Sequence, residues 1–203
     1  VETARADRAS ARLHGTPAGP GPQAALAMAD PVDHLRTVGD IVEDLRQIGF
    51  DPVLVGGMAL VALGSRRVTR DFDFLMANPA DQLDRLVELF SARGLELASR
   101  LDHAGDVTAT IASRRVATIR LRIDKPAAVH FIHPETRLRI DALFDFPVPA
   151  AEIAAHATPR RIASSRFLIA SEPDLLRLKR MAMAARAAPG DAEDVAFLES
   201  RTR

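Results

Sequence analysis

The sequence has no cysteine, no tryptophan and no tyrosine, and lysine occurs only at positions 125 and 179 of its 203 residues. Without cysteine there is no disulfide framework, no thiolate metal site and no thiol nucleophile, a usage that suits a reducing cytoplasm. Nine phenylalanines are the only aromatics, which argues against extensive stacking of single-stranded bases on the surface. No run of about eighteen apolar residues is present, so no membrane-spanning helix is expected. Charge of one sign is missing as well. Lys+Arg and Asp+Glu each number 27, and the formal net charge is zero. No whole-molecule field draws the chain to nucleic acid or to a membrane, so any polyanion must be held by a local patch. In a chain whose other basic residues are all arginine, a retained lysine is itself a mild pointer to a site.

What is present reads as one domain with a small helical appendage. Residues 1–27 are rich in Ala, Arg, Gly and Pro, with GTPAGPGP at 15–22. Such a composition buries too little surface to offset chain entropy, so a flexible arm is expected there, with Met28 opening the folded unit. From Pro31, Val32, Leu35, Val38, Ile41, Val42, Leu45 and Ile48 fall three or four apart and predict an amphipathic helix that Gly49 stops. A second helix is expected after Asn78-Pro79, with Leu83, Leu86, Val87 and Phe90 inward and Gly94 at its end. Then come three β-branched runs, 107–111, 116–123 and 129–132, each predicted as a strand. A short strand over 167–170, a helix from Ser171-Glu172-Pro173-Asp174 to about Ala188 and a last helix from Asp191 complete the chain.

The stretch 53–74, VLVGGMALVALGSRRVTRDFDF, carries the chemistry. A short apolar strand breaks at Gly56-Gly57 into a helix over 58–63, and Gly64 stops it. After the basic loop of Ser65, Arg66, Arg67 and Arg70, the alternation Asp71-Phe72-Asp73-Phe74 fits a strand with both carboxylates on one face. Residues two apart on a strand are separated by roughly 6.5 Å, so their oxygens can converge on a hard cation or a close metal pair. Downstream, Leu138-Arg139-Ile140-Asp141-Ala142 places Arg139 and Asp141 on the polar face of another strand. Asp124 and Asp145 compete with Asp141 as a third acid, but both fall near prolines and read as loop residues. The histidines at 14, 34, 103, 130, 133 and 156 are read as structural. Only His130 and His133 have ligand-like spacing, and no acid matches them. Met181 and Met183 are read as core filler.

A strand, a Gly-Gly turn opening a helix and a following Asp-x-Asp strand resemble the nucleotidyltransferase superfamily in its minimal form. Asp174-Leu-Leu-Arg-Leu-Lys179 followed by Arg186, Asp191 and Asp194 is similar to the C-terminal signature of the AbiEii-like branch, many of whose members are toxins of toxin-antitoxin pairs. The resemblance implies a mixed α/β (α+β) sheet flanked by helices, with a core over 28–170 and a C-terminal helical segment over 171–203 that completes the site. It implies Mg2+ on Asp71, Asp73 and Asp141, with nucleotide contacts from Gly56, Gly57, Arg66, Arg70 and Lys179. Lys179 and Asp194 join the three strand acids in catalysis, with Asp191 as the alternative to Asp194. The implied reaction transfers a nucleoside monophosphate from a nucleoside triphosphate to an RNA (tRNA) or protein acceptor, under control of a cognate antitoxin. A catalytically silent nucleotide-binding or partner-binding module and an antibiotic nucleotidyltransferase are the other readings of the same motifs.

Overall fold

The computed structural model describes residues 31–186 and 190–201; the expected arm over 1–27 and Met28 lie outside the described residues. Helix α1 (Pro31–Gln47) turns Val38, Ile41, Val42 and Leu45 fully inward, so its apolar stripe is its buried face. Phe50 leads into β1 (Val53–Val55), which is buried throughout and runs directly into α2 (Gly56–Ala62). Strand β2 (Asp71–Met76) follows, then a 3-10 turn and α3 (Leu83–Ala92), whose Leu83, Leu86, Val87 and Phe90 are buried. The hairpin β3 (Glu96–Leu101) and β4 (Val107–Ile111) precedes α4 (Arg114–Asp124), β5 (Ala128–Ile132) and β6 (Arg139–Phe144). After α5 (Ala150–Ala154) come β7 (Thr158–Ile162), β8 (Ser165–Ile169), α6 (Glu172–Arg186) and α7 (Asp191–Arg201).

All eight strands form one mixed sheet in the order β4-β3-β5-β6-β2-β1-β8-β7. β2 pairs parallel with β6, β1 pairs parallel with β8, and the other neighbours are antiparallel. β1, β2 and β6 therefore lie in the interior of the sheet, with Asp71, Asp73 and Arg139 partly exposed at the leading ends of β2 and β6. Phe72 and Phe74 fill the core side of β2, and Phe90 on α3 stacks on Phe131 of β5 at 4.1 Å between ring centres. Each such buried ring contributes about 1.5–3 kcal/mol. Helix α1 lies hard against β8: a Cβ added to Gly39 would stand 2.1 Å from Ser165 Oγ. No helix among the described residues is long and apolar enough to cross a membrane.

Two expectations are overturned. Residues 116–123 are helical, not extended. Ser113 caps this helix by accepting from the Val116 amide, Ala117 and Leu121 form its buried side, and Val116, Ile119 and Ile123 point outward. The apparent alternation arose because an i, i+4 buried pair and an i, i+3, i+7 exposed set interleave in one short segment. Met181 and Met183 are exposed rather than core, because the inward face of α6 is carried by Leu175 and by the polar Asp174 and Lys179.

Candidate active site

The strand register builds the site. Asp73 on β2 stands opposite Val55 of β1 on one side and opposite Asp141 of β6 on the other. The residue after Val55 is Gly56, which adopts φ +63, a left-handed conformation that glycine tolerates best. The space beside it is as demanding as the dihedral. A Cβ at Gly56 would lie 1.9 Å from Asp73 Oδ2 and 2.6 Å from its Cγ, so only a glycine lets the turn close over that carboxylate. A Cβ at Gly57 would stand 3.1 Å from the Arg67 guanidinium and from Thr69 Oγ1.

Two residues hold Asp141. Arg139, two residues earlier on the same strand, donates from Nε to Oδ1 at 2.7 Å and from Nη2 to Oδ2 at 2.8 Å, a two-pronged clasp. His130 is its cross-strand partner on β5, with Nδ1 2.9 Å from Asp141 Oδ1 and 3.1 Å from Arg139 Nη2. The remaining guanidinium nitrogen, Nη1, donates to the Gly105 carbonyl at 2.7 Å and so ties in the tip of the β3–β4 hairpin.

These contacts split the electrostatics of the acids. Burial drives the Asp73 carboxyl up to about 6, and the neighbouring charges of Asp141 and Asp71 push the same way, while Lys179 and Arg139 oppose them. Asp71 is raised too, by burial first, with Arg139 opposing and Asp141 adding to the rise. Burial also acts to raise Asp141, but the hydrogen bonds and charges of His130 and Arg139 outweigh it and bring the group below its usual value. Asp71 and Asp73 are thus carboxylates short of positive charge, whereas Asp141 is already matched.

The C-terminal helices bring a second cluster. Lys179 of α6 is buried, with Nζ 2.6 Å from Asp194 Oδ2 and 3.2 Å from Asp191 Oδ1, both on α7. Asp191 and Asp194 thus share the lysine. Arg67, from the loop after α2, hydrogen-bonds Asp194. The loop before β2 is therefore fastened to the C-terminal helices, and the Lys179 charge acts on Asp73. Arg66 and Arg70 stand exposed on the same loop.

Among the described residues, no three His, Asp or Glu side chains form a group that could hold a metal ion by themselves. Two of the acids nevertheless suit one. Asp71 and Asp73 are oxygen donors on one strand face, crowded by a third carboxylate and with the Gly56 turn packed directly against Asp73, a set whose chemistry fits a hard divalent cation. Two shallow cavities among the described residues, of about 450 and 470 Å3, lie elsewhere, one lined by Leu63, Arg160 and Glu172 and the other by Asp40, Glu43 and Arg166.

Asp124 and Asp145 lie apart from this cluster. Asp124 ends α4 paired with Arg120, and Asp145 accepts from the Asn78 and Ala150 amides in a loop. Sequence reasoning missed Arg139 and His130 as site residues. His130 does have a matching acid, Asp141, but the match is made across two strands and only the register reveals it. Arg139 carried a readable signal, since residues two apart on a strand share a face.

The arrangement of strands and helices is that of the nucleotidyltransferase fold. The antibiotic-resistance factor ANT(2'')-Ia superposes with a TM-score of 0.55 at 12% identity, over 86% of each chain. The lincosamide antibiotic adenylyltransferase LnuA, bound to lincomycin, superposes at 0.51 with 12% identity over 81% of this chain and 96% of its own. An antigenic nucleotidyltransferase-like protein from Paracoccidioides brasiliensis gives 0.51 at 18% identity, over 82% and 75%. No family profile matches the sequence, and no curated protein does.

Proposed function

We propose that the protein is a nucleotidyltransferase that moves a nucleoside monophosphate from a nucleoside triphosphate to an acceptor hydroxyl, with Mg2+ held by Asp71 and Asp73. The observation that carries this reading is the closure of the Gly56 turn onto Asp73, which leaves 1.9 Å where a Cβ would need to be. The turn sets bare backbone against one acid of the pair, so a phosphate chain whose cation sits on Asp71 and Asp73 would meet backbone rather than a side chain there. The ion, when bound, neutralises phosphate oxygens while charge develops on the departing pyrophosphate.

The chain's own residues supply the rest. Asp71 and Asp73 fix the cation side of the triphosphate, and the absence of side chains at Gly56 and Gly57 lets the backbone approach it. The segment over 171–203 contributes Lys179 as a compact cation for the phosphates, with Asp194 and Asp191 orienting it and Arg67 linking it to the β2 loop. The acceptor hydroxyl attacks the α-phosphorus in line and gives up its proton to solvent, the bond to the bridging oxygen of the β-phosphate breaks, and pyrophosphate leaves with that electron pair. Asp141 acts through its clasp with Arg139, which sets the charge beside Asp73.

For the acceptor, RNA (tRNA) or a protein is the first reading, since Arg66 and Arg70 stand exposed at the entrance to β2 and offer bidentate donors to a phosphate backbone. The protein would then be the toxin of a toxin-antitoxin pair, working in the cytoplasm. A small antibiotic acceptor is the second reading, favoured by the likeness in fold to ANT(2'')-Ia and LnuA. The test is transfer of label from α-32P nucleoside triphosphates into cellular RNA, protein or aminoglycoside and lincosamide substrates. Mg2+-dependent labelling that D71A abolishes is expected; labelling unaffected by D71A, or tight nucleotide binding without any transfer, would overturn the reading in favour of a silent binding module.

A further inference from the structure

We infer that Arg139 is a built-in cation seated where a second metal ion would otherwise lie, so that the site takes one divalent ion and not a pair. This rests on the nucleotidyltransferase reading above and narrows it. A close pair of ions, about 3.5–4 Å apart, is held by carboxylates that each offer an oxygen. On this sheet the acids available are Asp71, Asp73 and, in register with Asp73, Asp141. Both oxygens of Asp141 already accept from Arg139, at 2.7 and 2.8 Å. The third carboxylate therefore has a partner before any ion arrives.

Nor is that partner loose. Every nitrogen of the guanidinium has a fixed contact: Nε and Nη2 on Asp141, Nη1 on the Gly105 carbonyl at 2.7 Å, and Nη2 also 3.1 Å from His130 Nδ1. Arg139 itself is largely sheltered, with a side chain 16% exposed. A guanidinium does not shed its proton at any working pH, so its charge is permanent. Turning it away would strand Asp141 and unfasten the hairpin tip at once. Its field also reaches the other two acids, where it opposes the effect of burial. The division of labour follows: Arg139 neutralises Asp141, and one exchangeable ion neutralises Asp71 and Asp73. Asp141 is then a positioning residue that aims the guanidinium.

The alternative is that Arg139 swings onto the triphosphate when it binds and frees Asp141 for a second ion. Counting ions separates the two. The full chain, saturated with an α,β-methylene nucleoside triphosphate, is titrated with Mn2+, and bound ions per chain are counted by electron paramagnetic resonance. One Mn2+ is expected for the wild type and for R139K, and two for R139M, in which Asp141 is released. Two in the wild type, or one in R139M with an unchanged circular dichroism spectrum, would overturn the inference while leaving the transferase reading intact. If R139M does not fold, the wild-type count decides. No bound Mn2+ in the wild type, with D73N indistinguishable from it, would bring down the metal site itself and this inference with it.

Discussion

Replacing Asp73 by asparagine should stabilise the metal-free protein while ending its activity. The carboxyl is raised from 3.8 to about 6, chiefly by burial and then by Asp141 and Asp71, so at pH 7.5 the folded chain keeps a charge that its surroundings oppose. A rise of that size corresponds to about 3 kcal/mol at most. Because the side chain retains some contact with solvent, a gain of about 1–3 kcal/mol for D73N is the expected range. For a chain of this length each kcal/mol moves the melting temperature by about 2–4 °C. The pH dependence fixes the cause. A raised carboxyl binds its proton more tightly in the folded state, so its contribution is favourable below the unfolded value and is lost as pH climbs through about 6. The advantage of D73N should therefore be full at pH 7.5 and fall to about a third of that near pH 4.5. Urea unfolding of both proteins in EDTA at the two values measures it, and taking the difference between them largely cancels the opposite titration of Asp141. Mg2+ should then stabilise the wild type and leave D73N unmoved. A variant less stable than wild type at pH 7.5, or a gain equal at both values, would refute the argument.

Other substitutions probe separate parts. G56A forces a side chain into φ +63 and onto Asp73, so transfer should fall by more than about a hundredfold, with about 1–2 kcal/mol lost in thermal unfolding. K179M leaves Asp191 and Asp194 buried without their shared cation. It should cost about 3–5 kcal/mol, with hydrogen exchange in α7 accelerating before that of the sheet. G39A places a Cβ 2.1 Å from Ser165 Oγ and should cost about 1–3 kcal/mol in urea unfolding, a loss that S165G in the same chain largely restores. I123E, on the outward side of α4, should change stability by less than about 0.5 kcal/mol and leave transfer untouched.

Much of the fold is legible in the sequence alone, and the reasons are physical. The α1 stripe and the Asp-x-Asp strand follow from local periodicity, because in each case a single buried face imposes its period on consecutive residues. The 116–123 segment misleads because its outward side mixes Val116, Ile119 and Ile123 with Arg120 and Arg122 while Thr118 lies inward, so apolar and polar residues alternate along the chain without marking the buried face. β7 leaves no signal because Thr158, Pro159, Arg160 and Arg161 are all exposed on the sheet's last strand and carry no alternation. The pairing of His130 with Asp141 depends on which residues two strands set opposite each other, information that neither strand holds alone. The sharing of Lys179 between Asp191 and Asp194 is of the same kind, set by how α7 folds back on α6.

The parallel union of β2 with β6 has a bearing on the order in which the site is assembled during synthesis. Parallel neighbours need a long crossover, and here that crossover contains α3, the β3–β4 hairpin, α4 and β5, so a nascent chain shows its Asp-x-Asp strand to the cell well before the partner strand exists. Contacts of such long range form slowly, after local helices and hairpins are in place. Lys179 and Asp194 arrive later still, so the cluster around Asp73 is completed only after α6 and α7 have been made. A chain stalled before α6 would hold Asp71 and Asp73 without the lysine whose charge acts on Asp73.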